Sequence, residues 1–204
     1  MSATAITNPA SQPHGKPSRK RLLIGVILAF ILQAGLLSAM VLDRALLLAR
    51  GTEIRLPVIP VDPRDFLRGD YVVLSYPLSR LSSDLIEGWE ALSVDQTVYV
   101  TLRRDGAAWL PASAAARPPQ SGLFLKGKVE SVSEGGSQCP SPCRTFQIEY
   151  NLEKFFVPEG EGLSLEGLRN DQRIDVDVAV ASDGRAALKR LLVDGAVRHQ
   201  DTLF

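Results

Sequence analysis

The hydrophobic and polar positions divide the chain into two regimes. Leu22–Leu42 reads LLIGVILAFILQAGLLSAMVL, 21 residues without a charge, in which Gln33 and Ser38 are the polar members. At about 1.5 Å per residue such a helix measures about 30 Å, the hydrocarbon thickness of a bilayer. A helix of this length in a soluble protein keeps a polar face, and this one has none. A transmembrane helix over 22–42 is therefore expected. A cleaved signal peptide is the alternative, but its apolar stretch runs to about 7–15 residues, and Ser38-Ala39-Met40 is a poor cleavage site.

Residues 43–52 continue as a short helical linker ending at Gly51. Beyond it the period changes to two, the signature of strands. Glu53–Val61 is a proline-bounded extended segment, Asp70–Leu78 is apolar and β-branched, and Gln96–Arg104 alternates. Asp105-Gly106 predicts a hairpin returning over Ala107–Pro111. Leu123–Val132 and Thr145–Val157 form a further pair. Arg173–Ala181 places Ile174, Val176, Val178 and Val180 on one face and Asp175 and Asp177 on the other. Asp183-Gly184 then turns into Arg185–Val193, which reads as a strand or a short helix. Ser79–Ala91 and Glu159–Asp171 read as helix or loop, and Ala112–Gln120 as loop. The fold class expected is mainly β: a small antiparallel β-sandwich or partly open barrel over 53–204, with one or two short helices.

Charge gives the anchor an orientation. Lys16, Arg19, Lys20 and Arg21 precede the span, which places residues 1–21 as a disordered basic tail in the cytoplasm and the β domain outside, on a bacterial inner membrane. Residues 1–50 hold six of the 23 basic residues and one of the 23 acids, leaving 51–204 at a net charge of −5. Nucleic acid, which demands a basic surface, is excluded as a partner.

The two cysteines stand in Cys139-Pro-Ser-Pro-Cys143. In an oxidising space this pair reads as a local disulfide. Free thiols, a redox pair or half a metal site are the alternatives. Redox motifs usually separate their cysteines by two residues rather than three, and His14 and His199 are the only histidines left for a metal.

Val61–Tyr76 reads VDPRDFLRGDYVVLSY, and within it Gly69, Asp70, Tyr71, Leu74 and Tyr76 fill every fixed position of the string Gly-Asp-Tyr-x-x-Leu-x-Tyr. The chain thus resembles the GDYXXLXY family. Asp62-Pro63-Arg64-Asp65 and a later block, Tyr150 with Phe155–Gly162, share in the resemblance. It implies a bacterial membrane-anchored protein whose relatives accompany multi-spanning membrane proteins. It brings no established activity and no catalytic residues. Read physically, Asp62-Pro63 favours a turn. On a strand Asp70, Val72, Leu74 and Tyr76 share one face; with both faces largely apolar, a central strand covered on both sides is expected. Asp62, Arg64, Asp65 and Arg68 are either a structural ion-pair cluster or a ligand site beside the tyrosine hydroxyls.

No Ser-Met nucleophile element, G-x-S-x-G, P-loop, dinucleotide fingerprint or H-E-x-x-H is present, and nothing in the sequence favours pairing Ser75 with Lys126, Lys128, Lys154 or Lys189. Glu149, Glu153, Glu159 and Glu161 surround Phe155-Phe156, a solvated acidic face or, less in keeping with its spacing, a calcium site. The expectation is a non-enzymatic accessory protein without cofactor, held to the bilayer by residues 22–42 and binding a multi-spanning partner. An envelope hydrolase with an unfamiliar site and an envelope ligand sensor are the alternatives.

Overall fold

A computed structural model describes residues 19–59, 71–136, 139–156, 168, 171 and 173–200. The chain divides into two compact units at 42/43. Helix α1, Arg19–Arg50, supplies all of the described part of the first unit and the opening of the second. Its stretch Leu23–Arg50 is long and apolar enough to cross a membrane. Of the seventeen exposed large apolar side chains among the described residues, thirteen fall between Leu23 and Leu42. An apolar surface that continuous belongs in hydrocarbon, and the helix is compatible with a single-pass anchor.

The second unit is built of strands. β1 (Thr52–Pro57) starts one residue after α1, where Gly51 N–H closes on the Leu47 carbonyl at 2.9 Å. β10 (Ile174–Val180), β11 (Ala186–Val193) and β12 (Ala196–Gln200) complete an antiparallel sheet in the order β1-β10-β11-β12. β3 (Arg80–Ser82), β4 (Ile86–Glu87), β5 (Thr97–Asp105), β6 (Ala108–Ala115), β7 (Phe124–Gly136) and β8 (Cys139–Glu149) form a second sheet, ordered β3-β8-β7-β5-β6-β4 and curled into a half-barrel. Register shifts at Thr101/Leu102, Val129/Ser131 and Glu134/Gly136 interrupt its ladders, and bulges of this kind bend and twist the bulged strand. β2 (Tyr71–Val73) and β9 (Lys154–Phe156) pair as a small third sheet.

Alternation dictates the core. Ile54 and Leu56 of β1, Val176 and Val178 of β10, Val98 and Val100 of β5 and Phe146 and Ile148 of β8 point into one cluster. Each such side chain contributes roughly 1.5–3 kcal/mol on burial. Two glycines permit close approach. A Cβ on Gly127 would lie 2.5 Å from Ile148 Cγ2 and 2.8 Å from Tyr150 Cε1, so the bare backbone makes room for the Tyr150 ring. Gly184, at φ +83°, lies under the Phe124 ring and lends its carbonyl to Lys126 N–H at 2.8 Å, which ties the two large sheets together.

Several expectations are corrected. Among the described residues the motif strand is not central: β2 covers Tyr71–Val73 and pairs with β9, and farther along Pro77 opens a 3-10 turn over Pro77–Ser79. Leu74 and Tyr76 are buried, whereas Val73 and Ser75 are half-buried, so one face is covered fully and the other in part. Ser79–Ala91 holds two short strands and the 3-10 turns Ser83–Leu85 and Trp89–Ala91 rather than a helix. The strand after Asp105-Gly106 runs on to Ala115, through half of the expected loop, because Ser113, Ala114 and Ala115 find partners in β5. Ala186–Val193 is a strand, and Asp194-Gly195 adds a hairpin to β12 that the pattern did not predict. β4 and β6 pair in parallel, which makes the curled sheet mixed. Of Glu159–Asp171, all but Leu168 and Asp171 lie outside the described residues.

Candidate functional site

The motif and the later block meet at β2 and β9, where Tyr71 pairs with Phe156, Val72 with Phe155 and Val73 with Lys154. Past the ladder, Leu74 N–H donates to the Glu153 carbonyl at 2.7 Å. Two phenols then cross in opposite directions. Tyr76 donates its hydroxyl to the Leu152 carbonyl at 2.6 Å, and Tyr150 donates to the Leu78 carbonyl at 2.9 Å. Both rings are buried, and burial, with the Glu153 charge adding to it, pushes both phenols well above their ordinary value. They remain donors, and each satisfies a carbonyl that would otherwise lie bare in the core.

Glu153 fixes the turn between them. Its carboxylate accepts Tyr150 N–H at 2.6 Å and Leu152 N–H at 2.8 Å, while Asn151 takes a left-handed φ of +59°. Burial raises the Glu153 pKa above the ordinary 4.5, partly offset by those backbone donors, and the Glu149 charge raises it a little further. The folded protein therefore holds a proton on Glu153 more tightly than the unfolded chain does. The stability linked to this group is present below the ordinary value and is lost as pH rises through the folded one. Urea unfolding between pH 4 and 8 should show the wild type losing ground to Glu153→Gln as pH rises; parallel curves would exclude the linkage.

Of the sequence-predicted site residues, Leu74 and Tyr76 are thus core elements of a lock between two segments, and Tyr71 is placed by its backbone in β2. Gly69 and Asp70, and the charged group Asp62, Arg64, Asp65 and Arg68, lie outside the described residues. The described residues that flank that group are joined to their surroundings by the Ile59–Ser75 bridge and the Tyr71–Phe156 pair. The acidic cluster divides: Glu149 is exposed, Glu153 turns onto backbone, and Glu159 and Glu161 lie outside the described residues. Cys143 is disulfide-bonded, and the chain's other cysteine is Cys139. The Cys143 sulfur accepts from the hydroxyls of Ser82 at 3.3 Å and Ser83 at 3.2 Å. Among the described residues, no group of three His, Cys, Asp or Glu side chains could hold a metal ion.

Two charged arrangements were not legible in the sequence. Asp177, placed by alternation on the face opposite Val176 and Val178, is buried; Arg55 holds it with two bonds, 2.8 and 3.3 Å, and Arg190 adds a third at 3.0 Å. The partners stand opposite it on the neighbouring strands. Glu53, next but one to Arg55 and so on the same face of β1, pairs with Lys189 at 2.9 Å and with Arg190. The Asp177 carboxylate raises the Arg55 pKa, so this guanidinium is firmly charged.

The other arrangement surrounds the end of α1. Arg185 forks onto Asp43 at 2.5 and 3.2 Å and onto Asp183 at 2.7 Å, and these carboxylates raise its pKa further. On one side of this clamp is a cavity of about 560 Å³, lined by Leu46, Arg50, Leu123, Phe124 and Val180 among others. A second cavity of about 520 Å³ shares Asp43, Leu47 and Arg185 with the first and includes Arg44, Lys126, Lys128, Asp95 and Glu149. The signal that could have found the clamp is an acid placed directly after the apolar span, followed much later by Asp183-Gly184-Arg185.

A family model described as GDYXXLXY protein matches residues 33–191, from the middle of the apolar helix to β11. No curated protein and no solved structure matches the chain.

Proposed function

The chain belongs to the GDYXXLXY protein family, and we propose that it is a non-enzymatic accessory protein, fixed by one helix to the bacterial inner membrane, whose β domain binds a multi-spanning membrane partner. The observation that carries the reading is how soon the β domain follows the apolar span. Residues 43–50 of the apolar helix belong to the same compact unit as the strands, and Asp43 is clamped by Arg185. β1 begins at Thr52, ten residues after Leu42, so the chain itself keeps the domain within reach of the bilayer surface. That is where the short loops of a multi-spanning protein are accessible.

The basic residues Lys16, Arg19, Lys20 and Arg21 favour an N-terminus inside and a domain outside. A disulfide at Cys143 is in keeping with an extracytoplasmic domain. The test is crosslinking in intact membranes followed by purification in mild detergent. A multi-spanning protein should be recovered at a fixed ratio to the chain. Recovery of the chain alone would overturn the reading.

A further inference from the structure

We infer that α1 pairs in the membrane with α1 of a second copy of this chain, the two Gln33 carboxamides hydrogen-bonding to each other near the bilayer midplane. The inference rests on the anchored reading above and concerns the membrane-spanning part of the helix alone.

Depth is the first argument. The midpoint of Leu22–Leu42 is Leu32, so Gln33 lies about 1.5 Å from it along the helix axis. A span that fills a hydrocarbon core of about 30 Å therefore carries Gln33 as far as possible from water on either side. The carboxamide has two N–H donors and a carbonyl acceptor, and acyl chains satisfy neither kind. Among the described residues Gln33 forms no side-chain hydrogen bond, and its side chain is exposed on the helix surface. Ser38 differs, because a helical serine can return its hydroxyl to a backbone carbonyl one turn back. The polar group of Gln33 is left to a neighbouring helix.

Complementarity selects that neighbour. A carboxamide both donates and accepts, so one Gln33 satisfies another. A second copy inserts in the same orientation and brings its own Gln33 to the same depth. A two-fold axis along the membrane normal then sets the residue against itself, which a carboxylate or an ammonium would not tolerate. The apolar pattern extends the contact. Val26, Phe30, Gln33, Leu37 and Met40 follow at steps of four, three, four and three, the spacing of a left-handed helix pair. All five side chains are exposed, and one polar residue at such a position sets the register of a pair.

The full chain, labelled at its N-terminus with a donor or an acceptor dye, is reconstituted in phosphatidylcholine vesicles, and energy transfer is followed as lipid dilutes the protein. Transfer should survive dilution and rise linearly with the acceptor fraction, as it does for pairs. Gln33→Leu should weaken pairing roughly tenfold, and Gln33→Asn, which keeps the carboxamide, should retain most of it. Transfer that disappears on dilution, or a Gln33→Leu protein that pairs like the wild type, would overturn the inference. So would an absence of self-transfer combined with a multi-spanning protein whose recovery depends on Gln33, which would assign the carboxamide to that partner's helix. Alkaline extraction keeps the readings apart: a chain washed off the membrane refutes the anchor, and an embedded chain that stays monomeric refutes the pair alone.

Discussion

Replacing Tyr76 with Ala should destabilise the β domain by about 3–5 kcal/mol, the cost of deleting a large aromatic side chain from a close-packed core. The ring is fully buried, and its hydroxyl serves the Leu152 carbonyl at 2.6 Å. Tyr76→Phe separates the two contributions. Phe keeps the packing and leaves that carbonyl without its donor, which costs about 1–3 kcal/mol. Trp89 and Trp109, both partly buried against the core, make intrinsic fluorescence a reporter of urea unfolding for the full chain in detergent. Equal stability of wild type and Tyr76→Phe would show that the bond contributes nothing. The wider consequence concerns the family string itself: its last tyrosine holds the segments 71–79 and 150–156 together, so the variant should unfold more easily rather than lose a binding function selectively.

The second large effect is expected at Asp177. Removing one partner of a buried ion pair leaves the others without compensation, at about 3–5 kcal/mol when all are fully buried. Here Arg55 and Arg190 are each about a third exposed, at 33% and 28%, and water reaches them once the carboxylate is gone. Asp177→Ala should therefore cost about 2–3 kcal/mol, less than the fully buried case. Because Glu53 shares Arg190 with Asp177, the Glu53→Ala and Asp177→Ala losses should be non-additive in the double variant. Strict additivity, measured by the same urea unfolding, would show that the two acids act independently.

The two charged groups differ in kind. The Asp177 network stabilises one sheet, with its acid buried and its partners fixed by strand register. The Asp43–Arg185–Asp183 group is solvent-exposed and joins a helix to a turn 142 residues away. Its significance is geometric: it fixes where the domain begins relative to the last turns of α1.

The strands were legible to different degrees, for physical reasons. β5 and β10 alternate cleanly because each presents one face to the core. β11 reads AALKRLLV, a pattern open to both periods. Its pairing with β10 on one side and β12 on the other settles it as strand, since a ladder on each edge satisfies backbone groups that local propensity leaves undecided. The motif strand was expected to be longer because its residues are apolar throughout, whereas the burial of Tyr76 depends on Leu152, a partner 76 residues away.

By itself, the sequence determined the apolar helix, the mainly β character of the rest, the family string and the uneven charge. These are local or compositional properties: hydropathy over a window, a period of two, a fixed spacing. Only the tertiary structure decided that Tyr76 and Tyr150 donate to the Leu152 and Leu78 carbonyls, that Asp177 is buried between two arginines, and that Asp43 and Arg185 clamp the end of the helix. Each of these joins residues far apart in the chain. Whether a polar side chain faces water or a partner depends on which strand or turn folds opposite it, and no local pattern carries that information.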